Sequence, residues 1–365
     1  DWSSDVCSSD LARLVFILLA ALVPPLAALL AYKLTSRSEL ALLSGCLAAF
    51  TTYQTSRLIF VGSSPDTGAV FHGCLFDKPM GLFAHEDKLY MSTRYQIWQI
   101  ENVLGKGEHY YTADRLYVPK VSYTTGNLNV HDVALDENGK LWFVNTDFSC
   151  LSSLAPGENF QVEWWPPFIT KLTAEDQCHL NGLAMVEGKP TYMTACSTTN
   201  ESAGWRNYRH GGGVIFHLPS NEIIAQGFSM PHSPRFYQGK LWVLNSGSGE
   251  FGYVEGGRFE PIVFCPGFVR GLAFWQHYAL VGLSKLRSTT FGGLALEERL
   301  LQQGETSQCG LVIIDLQTGT IAHRLQVSHT IEELFDVVVL PGVQHPQCLD
   351  FQNEDIERLV RFAGS

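Results

Sequence analysis

Val130-His131-Asp132-Val133-Ala134-Leu135 is followed by Asp136-Glu137-Asn138-Gly139-Lys140 and then by Leu141-Trp142-Phe143-Val144-Asn145. Two apolar, β-rich runs flank an Asp/Asn/Gly turn cluster, which is a hairpin signal. The unit returns along the chain. Pro79-Met80-Gly81-Leu82 leads to Lys88-Leu89-Tyr90-Met91, and Leu180-Asn181-Gly182-Leu183 leads to Lys189-Pro190-Thr191-Tyr192. Pro231-His232-Ser233-Pro234 leads to Lys240-Leu241-Trp242-Val243, and Val269-Arg270-Gly271-Leu272 leads to Tyr278-Ala279-Leu280-Val281. Leu334-Phe335-Asp336-Val337 opens a sixth copy that lacks a second strand after it. Corresponding positions fall at Met80, His131, Asn181, His232, Arg270 and Phe335. Three successive gaps are about 50 residues, the period of a four-stranded propeller blade. A single blade cannot bury both of its faces, whereas a ring of blades can.

The incomplete sixth copy predicts how the ring closes. Residues near 69–76 read as an outermost strand, Arg57–Val61 as a third and Ala48–Tyr53 as a second. The missing innermost strand is then Leu334–Leu340, from the other end of the chain. The reading is all-β, a six-bladed propeller closed by strands from both termini, with seven blades as the alternative. A shared blade ties the seam with backbone hydrogen bonds and leaves no open sheet edge.

The domain spans residues 36–365. Residues 1–11 read as the translation of a sequencing adapter and are set aside. Leu14–Tyr32 carries no charge and is about long enough for a bilayer span of ~17–25 residues, but Pro24-Pro25 would break a helix there. The localisation expected is cytoplasmic, or membrane-anchored or exported if that segment is genuine. A net charge of -11 without a Lys/Arg run argues against nucleic acid. The nine cysteines are scattered and read as buried thiols. Gly247-Ser248-Gly249-Glu250-Phe251-Gly252 fits a dinucleotide motif but precedes a strand, so it reads as a turn.

In an antiparallel blade the start of the first strand and the end of the second share one edge. His131, Asn181, His232, Arg270 and Phe335 should therefore ring one mouth of an axial channel. Asp132, Ser233 and Asp336 come next inward, and Arg94, Asn145 and Asn245 join the same face. His179 lies in the connecting loop before Asn181. Dissimilar polar groups converging on an axis point to a ligand site. Two long loops open onto this face. Ser197–Gly211 carries Trp205 and Arg206, and Lys285–Gln308 contains the helix candidate Leu294–Leu300. Both read as exposed loops, in which substitutions cost little stability.

Asn129-Val130-His131-Asp132-Val133, Cys178-His179-Leu180-Asn181-Gly182-Leu183-Ala184, Met230-Pro231-His232-Ser233-Pro234-Arg235, Leu244-Asn245-Ser246-Gly247 and Glu333-Leu334-Phe335-Asp336-Val337 resemble a bacterial conserved-hypothetical propeller family, a domain of unknown function. The resemblance covers roughly residues 40–360 and implies one propeller without an assigned reaction. A looser similarity is to six-bladed gluconolactonase-type propellers, which hold a divalent metal on the axis. The ring here is richer in His and contains Arg270, so that mechanism does not carry over unchanged.

Two functions are expected. One is an axial hydrolase or lyase acting on a small molecule. Its chemistry would come from His131, Asp132, His232, Arg270 and Asp336, with a divalent metal such as Zn or Fe held by His131, His232 and Asp336. Arg94, Asn145, His179, Asn181, Trp205, Arg206 and Asn245 would contact the ligand. The other is a non-catalytic propeller that binds a small molecule, peptide, glycan or partner protein.

Overall fold

The computed structural model describes residues 46–64, 68–286, 292–327 and 330–360. The adapter-like residues and the apolar segment 14–32 lie outside the described residues.

Six sheets of four consecutive antiparallel strands form the ring, one of them with an added fifth strand. Blade 1 is the shared one. Its innermost strand, Val337–Pro341, pairs antiparallel with Cys46–Thr52, with Phe50 opposite Val337 and Cys46 opposite Pro341. Arg57–Ser64 and Gly68–Leu75 complete it. Blades 2 to 6 begin at Leu82, Val130, Leu180, Pro231 and Phe268. The expected six-blade closure is what forms. The chain then continues to Pro346–Cys348, which pairs in parallel with Arg115–Tyr117 as a fifth strand of blade 2. Leu75 N–H donates to Asp350 Oδ2 at 2.8 Å, which fixes this tail to blade 1.

Burial explains the strand types. The second strand of blade 5, Lys240–Asn245, is buried at four consecutive positions because other blades cover both of its faces. It therefore reads as a continuous apolar run. The outermost strand, Arg258–Phe264, has no fully buried residue. The core is correspondingly divided. Six apolar clusters each join one blade to the next, as Leu280, Leu311 and Ile313 of blade 6 do with Phe50, Ile59 and Val337 of blade 1.

Side-chain hydroxyls stitch the blades near the axis. Ser92 donates to Val130 O, Thr146 to Leu180 O, Ser246 to Val269 O and Ser284 to Leu334 O, at 2.6–2.9 Å. Thr51 donates likewise to Met80 O. Each hydroxyl lies in the last two residues of a second strand or directly after it, and reaches the entry of the next blade.

The next layer inward alternates around the ring. Blades 1, 3 and 5 place Asp336, Asp132 and Ser233 there, and blades 2, 4 and 6 place Gly81, Gly182 and Gly271. Each acceptor bonds an amide of the following blade: Asp336 to Leu82 N at 2.9 Å, Asp132 to Leu183 N at 3.0 Å and Ser233 to Gly271 N at 3.0 Å. The glycines permit this approach. A Cβ on Gly182 would sit 2.3 Å from Pro234 Cδ, and one on Gly81 would sit 2.8 Å from His131 O.

A candidate axial site of three histidines and an arginine

Blades 3 and 5 build their histidines in the same way. Asn129 and Met230 both adopt φ 51, a left-handed conformation. Each turns its carbonyl back onto the histidine two residues later. His131 Nδ1 lies 2.8 Å from Asn129 O, and His232 Nδ1 lies 2.9 Å from Met230 O. Carbonyls only accept, so both Nδ1 atoms carry the proton. The stitching hydroxyls agree with this assignment. Thr146 and Ser246 lie 2.8 and 3.0 Å from these nitrogens, and each gives its own proton to a carbonyl. Both imidazoles therefore keep an acceptor lone pair on Nε2, on the edge away from their anchors. Pairing shifts at Val130/Val133 and His232/Arg235 mark β-bulges at these strand entries, a device that re-aims side chains.

Blade 4 departs from the expectation. Asn181 turns into its own blade, accepting from Thr194 Oγ1 at 2.7 Å and lying 3.4 Å from Cys196 Sγ. Its place facing the axis is taken by His179, also left-handed at φ 53. His179 Nδ1 lies 2.9 Å from Asp176 Oδ1, forming a carboxylate–imidazole dyad. Asp176 is also bound by Trp205 Nε1 at 2.8 Å, and the Trp205 ring stacks on His179 at 4.2 Å.

These groups form a closed belt around the axis. Ring centroids lie 5.3 Å apart for Phe335 and His131, 4.8 Å for His131 and His179, and 6.4 Å for His179 and His232. Arg270 Nη2 lies 3.4 Å from His232 Nε2, and its guanidinium sits 4.7 Å above the Phe335 ring, which completes the circuit. All three histidines are buried, at 2–7 % exposure. Burial first, then the neighbouring His179 and Arg270, holds His131 well below the ordinary histidine range. Burial, Arg270 and His179 do the same for His232. Both are neutral at physiological pH.

The two rim loops roof this belt. Ser197–Gly211 forms a 3-10 turn over Gly204–Tyr208, and the second loop forms helix α1, Ala295–Gln303. Trp205, Leu294, Leu296 and Leu300 pack with Met230 and Phe268 in one apolar cluster. Trp205 is only 4 % exposed, so the expectation of an exposed tryptophan is corrected. Its indole has a half-buried acceptor in Asp176 and a packed face. Arg206 remains outside, its guanidinium 4.6 Å over the Trp205 ring.

Other expected site residues are committed elsewhere. Asp132 and Asp336 lie one layer below the belt and bond blade amides, and both meet Arg235. Arg235 Nη1 donates to Asp132 Oδ2 at 2.8 Å, and its Nη2 lies 3.8 Å from Asp336 Oδ1. Asp336 therefore does not join His131 and His232. No group of three or more His, Cys, Asp or Glu among the described residues is arranged to hold a metal ion. The ligand set expected for Zn or Fe is not assembled, because backbone amides and Arg235 claim its carboxylate. Arg94 pairs with Asp77 at 2.9 Å on the exposed rim. Asn145 accepts from Phe148 N at 3.2 Å, and Asn245 from Ser229 N at 2.7 Å. The seven described cysteines are free, buried thiols, and no helix among the described residues is long and apolar enough to cross a membrane.

Sequence reasoning missed Asp176, Arg235 and the anchoring hydroxyls. Thr146 and Ser246 directly follow Asn145 and Asn245 at the ends of second strands, a repeat signal that could have been found. Asp176 lies in a loop with no counterpart in other blades.

A family model described as "Domain of unknown function (DUF4915)" matches residues 39–349. No curated protein matches the chain. Among solved structures, a chain of a nidogen/laminin complex is 13% identical with a TM-score of 0.52, over 81% of this chain and 98% of that one. Virginiamycin B lyase from Staphylococcus aureus is 11% identical with a TM-score of 0.39, over 64% and 73%. A luciferin-regenerating enzyme is 13% identical with a TM-score of 0.39, over 83% and 93%. The first is a likeness of fold alone.

Proposed function

The chain belongs to this DUF4915 family, whose description assigns no reaction, and from its own side chains we propose a small-molecule lyase or hydrolase that works by proton transfer without a metal. The observation that carries this reading is the Asp176–His179 dyad at 2.9 Å, set in the same belt as Arg270. Asp176 fixes the proton on Nδ1, so Nε2 of His179 is the basic atom. It takes a proton either from water attacking an ester or from carbon beside a carbonyl or carboxylate. With an ester, the water oxygen bonds to the carbonyl carbon and the π pair moves to oxygen as an oxyanion that Arg270 stabilises. Its return expels the alkoxide, which takes the proton back from His179. With an acid, the pair left on carbon is held as an enolate beside Arg270, and its return expels the β-leaving group, again protonated by His179. His131 stays neutral and its Nε2 accepts a hydrogen bond from the substrate, whereas Nε2 of His232, also neutral, faces Arg270 Nη2 at 3.4 Å and helps to hold that guanidinium. The roof excludes water and strengthens these interactions.

The test is a screen of esters, lactones and small carboxylic acids for acid release and for solvent deuterium uptake. His179→Gln should lower any activity found by about 10²–10⁴, the usual contribution of a general base. Asp176→Asn should lower it too, and chelators should leave it unchanged. Full turnover by His179→Gln sinks the catalytic reading. Ligand binding that persists without turnover, and that is lost in Arg270→Gln, would favour the non-catalytic binding propeller.

A further inference from the structure

We infer that the ring has a second ligand site, at the end of the axial channel opposite the belt, and that it takes a small amphipathic amine, a compact aryl or apolar body carrying one ammonium group. This site is separate from the proposed reaction and does not depend on it.

Two cavities meet at this lower mouth. One, of 290 Å³, lies among the lower ends of the first strands of blades 1, 2, 5 and 6. Arg235 lines its inner end, and Phe83, Phe236, Tyr237 and Phe274 line its wall. The other, of 480 Å³, lies beside it between blades 1 and 2, where the turn residues Glu86 and Asp87 join Tyr117 and Leu340. Ala84, Val339 and Pro341 line both cavities. The two therefore form one basin with an aromatic end and a carboxylate end. A mostly apolar hollow with a few polar groups at one side is the usual form of a small-molecule site. The wall is also preformed. Tyr237 stacks on Phe274 at 4.5 Å, and Phe83 stacks on His85 at 6.5 Å. Phe236 is left 37 % exposed, a large apolar side chain open for a ligand to cover.

Charge decides what kind of apolar ligand fits. The cations around the basin already have partners. Arg235 bonds Asp132 at 2.8 Å and stands 3.8 Å from Asp336, so it offers no free charge to an anion. Arg115 meets Asp87 at 3.2 Å, and Lys88 meets Glu101 at 3.5 Å. Glu86 has no hydrogen bond or ion pair of its own. The surplus charge of the basin is thus negative and sits at one end. An ammonium group beside Glu86 gains from that charge, and aromatic faces attract a cation as well. A carboxylate in the same place would meet Glu86 and Asp87 and be repelled.

Four probes separate these requirements, titrated into the full chain labelled with 13C-methyl alanine. 2-Phenylethylammonium has the ring and the cation, 2-phenylethanol the ring alone, 3-phenylpropanoate the ring and an anion, and ethylammonium the cation alone. Ala84 and Ala273 line the smaller cavity, and the ring current of a bound phenyl group shifts their methyl signals. 2-Phenylethylammonium should shift both and bind at least about fivefold tighter than each of the others. Added salt should weaken it more than it weakens 2-phenylethanol. Glu86→Gln, a change in an exposed turn, should bring the amine within about twofold of the alcohol. Phe236→Ala should weaken both of these ring probes alike, and if it does not fold, Glu86→Gln and the probe series still decide. His179→Gln should leave the binding unchanged, which separates this site from the belt. 3-Phenylpropanoate binding as tightly as the amine, or an undiminished preference for the amine in Glu86→Gln, would overturn the charge assignment. Ethylammonium binding as tightly would overturn the role of the aromatic wall. No methyl response to any ring probe would overturn the site altogether.

Discussion

Arg235→Met removes the cation shared by two buried carboxylates below the belt. Arg235 bonds Asp132 at 2.8 Å, stands 3.8 Å from Asp336 and also donates to Leu183 O at 3.0 Å. It thereby joins blade 5 to blades 1, 3 and 4. Removing one partner of a buried ion pair costs about 3–5 kcal/mol, because the charge left behind is uncompensated. Two features place the expected loss near ~3 kcal/mol in that range. Asp132 retains the amides of Val133 and Leu183, and Asp336 those of Leu82 and Val337. Met also replaces the apolar stem of the arginine.

The loss should depend on pH with a definite sign. Burial already pushes the Asp336 carboxyl up to about 7, against the pull of Arg235. Without the arginine it rises further above its unfolded value of ~3.9. The folded variant then holds a proton that the unfolded chain lacks, so its deficit against the parent is full above the variant's folded pKa and shrinks as pH falls to about 7, below which Asp336 is protonated in both folded proteins. The assay is urea unfolding of parent and variant near pH ~8 and ~5, comparing midpoints at unchanged m. A loss below about 1 kcal/mol at the higher pH, or an equal loss at both, would refute this account of the carboxylates.

Three further outcomes are expected. Trp205→Ala should cost about 3–5 kcal/mol, the range for a buried aromatic, whereas Arg206→Ala on the same turn should stay within about 0.5 kcal/mol; similar thermal shifts for the two would mean that the roof is not packed as described. Gly182→Ala should destabilise the ring, because its Cβ would meet Pro234 Cδ at 2.3 Å and Thr194 Oγ1 at 2.7 Å, and an unchanged unfolding midpoint would contradict that contact. His131 and His232 are held below the usual range of ~6.5, so below that pH the unfolded chain takes up protons that the folded one does not. Stability should therefore fall more steeply on acidification in the parent than in His232→Gln, and parallel pH profiles would remove the case for a neutral imidazole.

The ring was legible in the sequence because its signal is repeated. A blade entry at His131 can be compared with those at His232 and Arg270, and the truncated copy at Leu334–Val337 announced its partner at the other terminus. The belt was legible in part for the same reason. His131, His232, Arg270 and Phe335 share a repeat position and converge as expected. Asn181 shares that position and turns away, because Thr194 and Cys196 satisfy it within its own blade. His179 replaces it from a loop conformation that no periodicity encodes. The carboxylates misled for a physical reason. The register of the repeat places Asp132 and Asp336 near an axis, but does not disclose that amides of the next blade and Arg235 already occupy their oxygens. Trp205 misled similarly, since loop position alone does not disclose a packed cluster with α1.

The alternation of acceptor and glycine around the axis imposes a rule of parity. Acceptor-bearing blades 1, 3 and 5 each insert between two glycine-bearing neighbours, so the ring is a threefold array of blade pairs. A seventh blade would set two like junctions side by side. Two acceptors would then compete for one opening, or two glycines would leave a gap with an unmet amide. Growth or loss in this lineage should therefore proceed by two blades at a time, and a single duplicated blade should arrive with compensating changes at the layer of Asp132, Gly182 and Ser233.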